Sequence, residues 1–370
     1  MSDVSQTDII YLARSRLHRS RANLIQTLHT VAGFMAAGRV VHVFMPPWPR
    51  RVSVRERLDE MGIDTAIPLT PSQLLHPRWG FRPFVLRYRR MLAAAPVLYT
   101  RVPEISIVLA DAKLSSHLEI HDVDQLMTSA SGERVLAAHR EGVIRTLLPI
   151  SEGGRRRLIA AGAADERMQV ASSGVDLAAY ANLPPFNPTG GDWPRIVHIG
   201  RLTPERGLTV FAAAATAGCD VTIVGSGEAA VDFARSVGIV PLCEVPAWYA
   251  QSDITLLPYQ PEIDTVATMS PIKVFEALAA GRPIIASDLP TIREILTDGQ
   301  TAVLVDPKDN AAWVDAIHRL HADPELALRL AGSAKLLAQR YSWEARARGI
   351  LAAIEKGWGL TDGSSVETSG

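Results

Sequence analysis

Apolar positions along the chain follow two periods. Short apolar runs of strand length recur in the first half as DIIYLA, RVVHVFMP, PVLYTR, SHLEIHD and TLLPIS. Between them, NLIQTLHTVAGFMAAG, VRERLDEMG and EISIVLADAK carry helical apolar spacing, with Gly38 placed to cap the first helix. The second half repeats the pattern. RIVHIGRL, DVTIVGSG, DITLLPY, RPIIASD and TAVLVD read as strands, and LTVFAAAATAG, AAVDFARSVG, PIKVFEALAAG and NAAWVDAIHRLHAD as helices.

Strands alternating with helices predict parallel sheets covered on both faces. NLPPFNPTGGDWP, residues 182–194, is rich in proline and glycine and reads as a linker between two such sheets. The tail TDGSSVETSG, residues 361–370, reads as disordered. A chain of 370 residues suits two domains. Two doubly wound domains make a cleft, with ligands expected at the carboxyl ends of the strands.

Composition narrows the class. Apolar residues at 47% and charged residues at 21% specify a folded globular chain. No apolar run reaches the roughly 18 residues of a membrane span, and the start lacks a secretory pattern. Cys219 and Cys243 are too few for a disulfide framework and lack metal-ligand spacing. A cytoplasmic chain is therefore expected.

The net charge of -1 conceals a polarity. Residues 1–110 hold 15 Arg against 7 acidic residues, and no acidic residue lies between Asp8 and Glu56. Such a half suits an anionic partner, although solvated arginines give the same count. HPRWGFRPFVLRYRRMLAAAP, residues 76–96, mixes Trp79, Phe81, Phe84 and Tyr88 with five arginines. That mixture fits peripheral contact with an anionic membrane, and equally a helix covering the first core. No nucleic-acid motif accompanies the charge.

Two segments carry candidate chemistry. In HIGRLTPERGL, Gly200 and Arg201 follow a strand and Arg206-Gly207 opens a helix. A glycine turn admits a phosphate to backbone N–H groups, and two guanidinium groups would neutralise a diphosphate. A tight turn with surface arginines is the plainer alternative. In SPIKVFEALAAGRPIIASDLPTIRE, Ser270-Pro271 begins a helix and Lys273 falls in its first turn. A cation there opposes the helix dipole, which a bound anion would explain. Glu276 stands in an otherwise apolar helix. It needs hydrogen-bond donors, from sugar hydroxyls or from a salt bridge.

These motifs together resemble family 4 glycosyltransferases, retaining enzymes of GT-B fold. The resemblance rests on G-R-L-x-x-x-R-G at Gly200 to Gly207, TIVGSGE at 222–228, WYAQSDITLLPY, the SPxK-type S-P-x-K-x-F-E-x-L-A-x-G at Ser270 to Gly281, and ASDLPTIRE. ISEGGRRRLIAAG and SSGVDLAAY resemble the family's end of the first domain. The match is close over residues 145–345 and looser elsewhere. It implies two Rossmann-like doubly wound domains facing across a cleft. Residues 1–181 would form the acceptor side, 182–341 the donor side, and a helix at 342–360 would pack back on the first domain.

By position, the resemblance implies that Arg201 and Arg206 grip the donor diphosphate beside Gly200. Glu276 would hold ribose hydroxyls, with Ser270 and Lys273 nearby. The family's preceding Glu falls at Thr268, where this sequence departs, although backbone amides between Thr268 and Ile272 still suit sugar or phosphate. Ala22-Asn23 with Gln26 resembles an A-N-x-x-Q pattern, so Asn23 joins the donor candidates. Arg16, Arg19 and Arg21 precede it, facing donor phosphates, an acceptor phosphate or solvent. In HLEIHD, His121 and Asp122 end a strand, and His121 would orient the reacting sugar or serve as a structural histidine.

The implied reaction moves a hexose-type sugar from a nucleotide-diphosphate donor to an acceptor hydroxyl with retention, by front-face substitution. The acceptor would be a glycan or a lipid-linked glycan. No cofactor or metal is expected, since enzymes of GT-B fold, which the chain resembles, generally need none. Two rivals are a non-catalytic nucleotide- or glycan-binding partner subunit and another GT-B enzyme such as a sugar-nucleotide epimerase.

Overall fold

The computed structural model describes residues 6–19, 22–188, 194–226 and 231–359. The chain divides into two compact units. Unit 1 holds the described residues up to Leu58, residues 63–172 and those from Trp343 onward; unit 2 holds 59–62 and 173–342. The described residues of the proline-rich stretch, 182–188 and Pro194, lie inside unit 2.

Unit 1 is built on six parallel strands, β1 (Ile9–Leu12), β2 (Val41–Met45), β3 (Leu69–Pro71), β4 (Val97–Thr100), β5 (Ser116–Ile120) and β6 (Ile144–Pro149). Their order is β3-β2-β1-β4-β5-β6, so the direction of winding reverses between β1 and β4. All four residues of β1 are fully buried, as a parallel strand covered on both faces requires. Its helices are α1 (Ala22–Ala36), α2 (Val54–Glu60), α3 (Arg82–Ala94), α4 (Pro103–Asp111), α5 (Val123–Thr128), α6 (Ser131–Arg140) and α7 (Glu152–Ala160).

Unit 2 repeats the plan. α8 (Leu177–Tyr180) leads into β7 (Arg195–Ile199), then α9 (Leu208–Thr216), β8 (Asp220–Val224), β9 (Arg235–Gly238), α10 (Val245–Ala250), β10 (Thr255–Leu257), α11 (Ile272–Ala280), β11 (Ile284–Ser287), α12 (Pro290–Arg293), β12 (Val303–Val305), α13 (Asn310–Ala322) and α14 (Pro324–Ala338). The strands run β7-β8-β9 and β10-β11-β12, joined by a parallel bridge from Ile196 to Ile254. The winding thus reverses again, between β7 and β10. Along β11, Ile284 and Ala286 enter one core while Ile285 enters the other.

The last helix, α15 (Trp343–Gly359), belongs to unit 1 and lies along α1. Trp343 stacks on His29 with ring centroids 5.3 Å apart. Arg346 donates to Thr30 Oγ1 at 3.0 Å.

One expected helix is corrected. AAVDFARSVG forms a turn and then β9 over its described residues from Val231 onward. Arg235 and Ser236 pair with Thr222 and Ile223 of β8. The demand of a buried neighbouring strand for a hydrogen-bonded edge outweighs a weak helical pattern. The predicted tail at 361–370 lies outside the described residues.

Candidate functional site

In unit 2 the carboxyl ends of β7, β8 and β10 close around glycines. Gly225 has φ +143, and a Cβ there would lie 2.1 Å from the Gly200 carbonyl oxygen. Gly207 has φ +85, with Pro258 Cγ 2.2 Å from its hypothetical Cβ. Neither position admits a side chain, so the three loops approach backbone to backbone. A cavity of about 60 Å³ opens there, lined by Gly200, Arg201, Arg206, Lys273, Tyr249 and His198 among others.

Arg201 and Arg206 are exposed and have no carboxylate within ion-pair range among the described residues. Lys273 sits in the first turn of α11 and donates to Glu276 Oε2 at 2.7 Å. Tyr249 adds a longer contact to the same oxygen at 3.5 Å. Glu276 is buried, so a lysine satisfies the carboxylate that sequence reasoning left between a salt bridge and sugar hydroxyls. Its second oxygen carries no ion pair among the described residues.

Ser270 is buried and already engaged. Its hydroxyl accepts from the Ser173 N–H at 2.9 Å, and its carbonyl accepts from Ser173 Oγ at 2.7 Å. The Thr268 N–H is bonded to the Thr265 carbonyl at 2.9 Å. That removes one of the expected cradle amides, leaving those of Met269, Ser270 and Ile272 without a protein acceptor among the described residues. His198 packs edge-on against Phe211 at 4.7 Å. Burial lowers it to about 4, with Lys273 and Arg206 adding to the shift.

Unit 1 presents its own crevice where its winding reverses. A cavity of about 560 Å³ lies beyond β1, β4 and β5, lined by Arg14, Arg16, Arg19, Asn23, Arg101, Glu104, Glu119, His121 and Asp122 among others. Arg14, Arg16 and Arg19 form no ion pair among the described residues. Arg21 lies outside the described residues. The Asn23 carbonyl accepts from Arg101 Nη1 at 3.0 Å and from Thr27 Oγ1 at 2.7 Å. Asp122 is occupied as the cap of α5, accepting from the Gln125 N–H at 2.8 Å.

His121 lines this cavity with about one fifth of its side chain exposed, and its Nε2 contacts Glu119 Oε1. Glu119 is fully buried on β5. Arg346 lies 2.8 Å from it, Arg101 lies 3.5 Å away, and the Tyr99 hydroxyl donates to its other oxygen. Burial would raise this carboxyl, but Arg346, His121 and Arg101 hold it well below the ordinary range. Burial, with Arg101, pulls His121 down to about 4 against the opposing pull of Glu119.

Glu119, Arg101 and Arg346 escaped sequence reasoning as site residues. The available signal was a carboxylate in the middle of SHLEI, on a strand otherwise buried on both faces. Arg346 could not be found that way, because its partners come from α1 and β5.

Two doubly wound units, each with a crevice where its strand order reverses, define the GT-B class of α/β protein. The comparisons with known proteins narrow this. Residues 193–323 match the family profile described as Glycosyl transferases group 1. Alpha-D-kanosaminyltransferase of Streptomyces kanamyceticus is 28% identical over 173 residues, 42% of this chain and 43% of that protein. D-inositol 3-phosphate glycosyltransferase of Frankia alni is 28% identical over 218 residues, 50% and 52% of the two. The chain thus spans about half the length of the curated relatives it matches. Among solved structures, Anabaena Alr3699/HepE in complex with UDP aligns with a TM-score of 0.70 at 15% identity, covering 94% of this chain and 100% of that one. That likeness is one of fold.

Proposed function

We propose that the protein is a retaining, metal-independent glycosyltransferase that moves a hexose-type sugar from a nucleotide-diphosphate donor to an acceptor hydroxyl. The observation that carries this reading is the unit 2 crevice. There the glycine-closed loops at Gly200, Gly207 and Gly225 present two guanidinium groups, unpaired among the described residues, beside the Lys273–Glu276 pair. Positive charge at the carboxyl ends of parallel strands is suited to a diphosphate, and positioned donors there would stabilise it as it leaves. This crevice lies within the span that matches the glycosyl transferases group 1 profile. The relatives named as glycosyltransferases and the UDP-bound fold neighbour point to the same chemistry.

In this reading Arg201 and Arg206 take the diphosphate, and Glu276 takes ribose hydroxyls with its second oxygen. The unit 1 cavity receives sugar or acceptor, and its arginines favour an acceptor that bears phosphate, as a lipid-linked glycan does. No described helix is long and apolar enough to cross a membrane. Trp79 and Leu86, 48% and 73% exposed among the arginines of the α3 region, are the surface for a peripheral lipid contact in glycolipid or cell-surface glycan synthesis.

A thermal-shift screen against UDP, GDP, ADP, CMP and dTDP, with and without EDTA, tests the reading. A nucleotide at a hundred times its dissociation constant stabilises by about 2.7 kcal/mol. Stabilisation by one diphosphate in EDTA supports the proposal. Stabilisation by none, or only with divalent metal, overturns the donor assignment or its metal independence.

A further inference from the structure

We propose that Glu119, anchored by Arg346, is a positioning residue that fixes His121 with Nε2 as the donor nitrogen and leaves Nδ1 as a bare acceptor for a hydroxyl of the sugar or acceptor in the unit 1 cavity. The hydroxyl-bearing substrate rests on the glycosyltransferase reading above; the fixed ring does not.

A carboxylate buried in a central strand is tolerated only when donors surround it. The partners of Glu119 are donors. Arg346 and Arg101 carry guanidinium groups, which have no acceptor capacity and keep their charge. Burial, with Glu119 alongside, pushes the Tyr99 phenol well above its ordinary range, so Tyr99 keeps its proton and donates it. Glu119 is therefore acceptor-only, and the His121 Nε2 that touches it must carry a proton.

The other ring nitrogen follows. His121 stays neutral above about pH 5, because burial and Arg101 oppose a second proton. A neutral imidazole has one N–H, here on Nε2, so Nδ1 presents a lone pair. Nδ1 has no hydrogen-bond partner among the described residues and is not one of their occluded, unsatisfied polar atoms. It belongs to a side chain that lines the 560 Å³ cavity. An acceptor in that position takes O–H and gives nothing in return.

The rigidity comes from α15. Arg346 is 9% exposed and is itself held by the Ser172 carbonyl at 2.7 Å, the Ala171 carbonyl at 3.2 Å and Thr30 Oγ1 at 3.0 Å. With its guanidinium pinned from three sides, the carboxylate it faces cannot rotate away, and the imidazole keeps its orientation.

The test is nitrogen NMR on protein labelled at histidine, with the His121 signals assigned by their loss in His121→Gln. A protonated Nε2 and an unprotonated Nδ1 from pH 6 to 8 is the expected result. A proton on Nδ1, or on both nitrogens, at pH 7 overturns the proposal. The functional arm uses Glu119→Gln, whose amide N–H can donate to Nε2 and so releases the ring to the other tautomer. In folded Glu119→Gln, kcat should fall about tenfold or more, with the KM for the nucleotide donor changed less than about twofold. Unchanged kcat together with an unchanged tautomer sinks the positioning role. If that variant does not fold, the spectrum of the unmodified protein still decides. Absence of transfer with every donor would instead remove the glycosyltransferase reading and leave the ring assignment standing.

Discussion

The two units share one strand order yet differ in how the arginines nearest the sheet are used. In unit 2 the arginines at the crevice, Arg201 and Arg206, are exposed and unpaired among the described residues. In unit 1 the charges nearest the sheet, Glu119 and Arg346, are buried and paired with each other, with the partly buried Arg101 alongside. The lesson is that one topology supplies the place for a site while leaving open whether charge there serves the fold or the ligand. Substitution should separate the two uses.

The largest effect is expected in unit 1. Arg346→Met strips the buried Glu119 of its nearest guanidinium and leaves only Arg101, His121 and Tyr99 around it, which should lower stability by about 3 kcal/mol. Thermal denaturation would show it, and adding Glu119→Gln should restore part of the loss. An Arg346→Met protein with unchanged melting would erase the contrast between the units.

Arg201→Ala is the counterpart in unit 2. It should reduce turnover by about 100- to 1000-fold, like removal of a donor to developing negative charge, with melting almost unchanged. Turnover at the original level would return Arg201 to an ordinary surface role. Glu276→Gln should act more mildly, weakening nucleotide affinity by about 1.5–3 kcal/mol in a binding titration. Equal affinity would show that Glu276 serves only Lys273.

Acid should weaken both units. His121 and His198 are held at about 4 and His117 at about 3, each chiefly by burial. The unfolded chain takes up these protons near pH 6.5, before the folded one does. Their stabilisation is complete above that pH and is lost as pH falls toward 4. Melting temperature should therefore decline from pH 6.5 to 4, and a flat profile would contradict the buried neutral histidines. The smallest effect is at the lipid surface. Leu86→Ser should reduce co-sedimentation with anionic vesicles at low salt, and unchanged sedimentation would discharge α3 from that role.

Legibility followed the same divide. The unit 2 crevice could be read from the sequence because its chemistry is local. Gly200, whose φ of +130 suits glycine, and Gly207, which has no room for a side chain, stand directly beside Arg201 and Arg206 in the sequence. The period of apolar residues likewise located β1, α1, β2 and most other elements. It failed at β9, where pairing with β8 decided the conformation, and passed over β3 and several helices, α5, α6, α10 and α14 among them. Strand order was inferred from alternation alone, which fixes parallel pairing but not neighbours. Glu119 lay in plain view within a segment read only as strand, since its partners Tyr99, Arg101 and Arg346 come from β4, the turn after it and the last helix.

The placement of α15 also sets a timetable. Thr30 and Arg346 touch across 316 positions of sequence. A ribosome making about 5–20 residues per second needs tens of seconds to travel from Glu119 to Arg346. From the completion of β6 onward the six strands of unit 1 exist with Arg101 but without Arg346, the nearer of the two guanidinium groups that face Glu119. All of unit 2 emerges and can fold meanwhile. The unit that is made first is the one finished last.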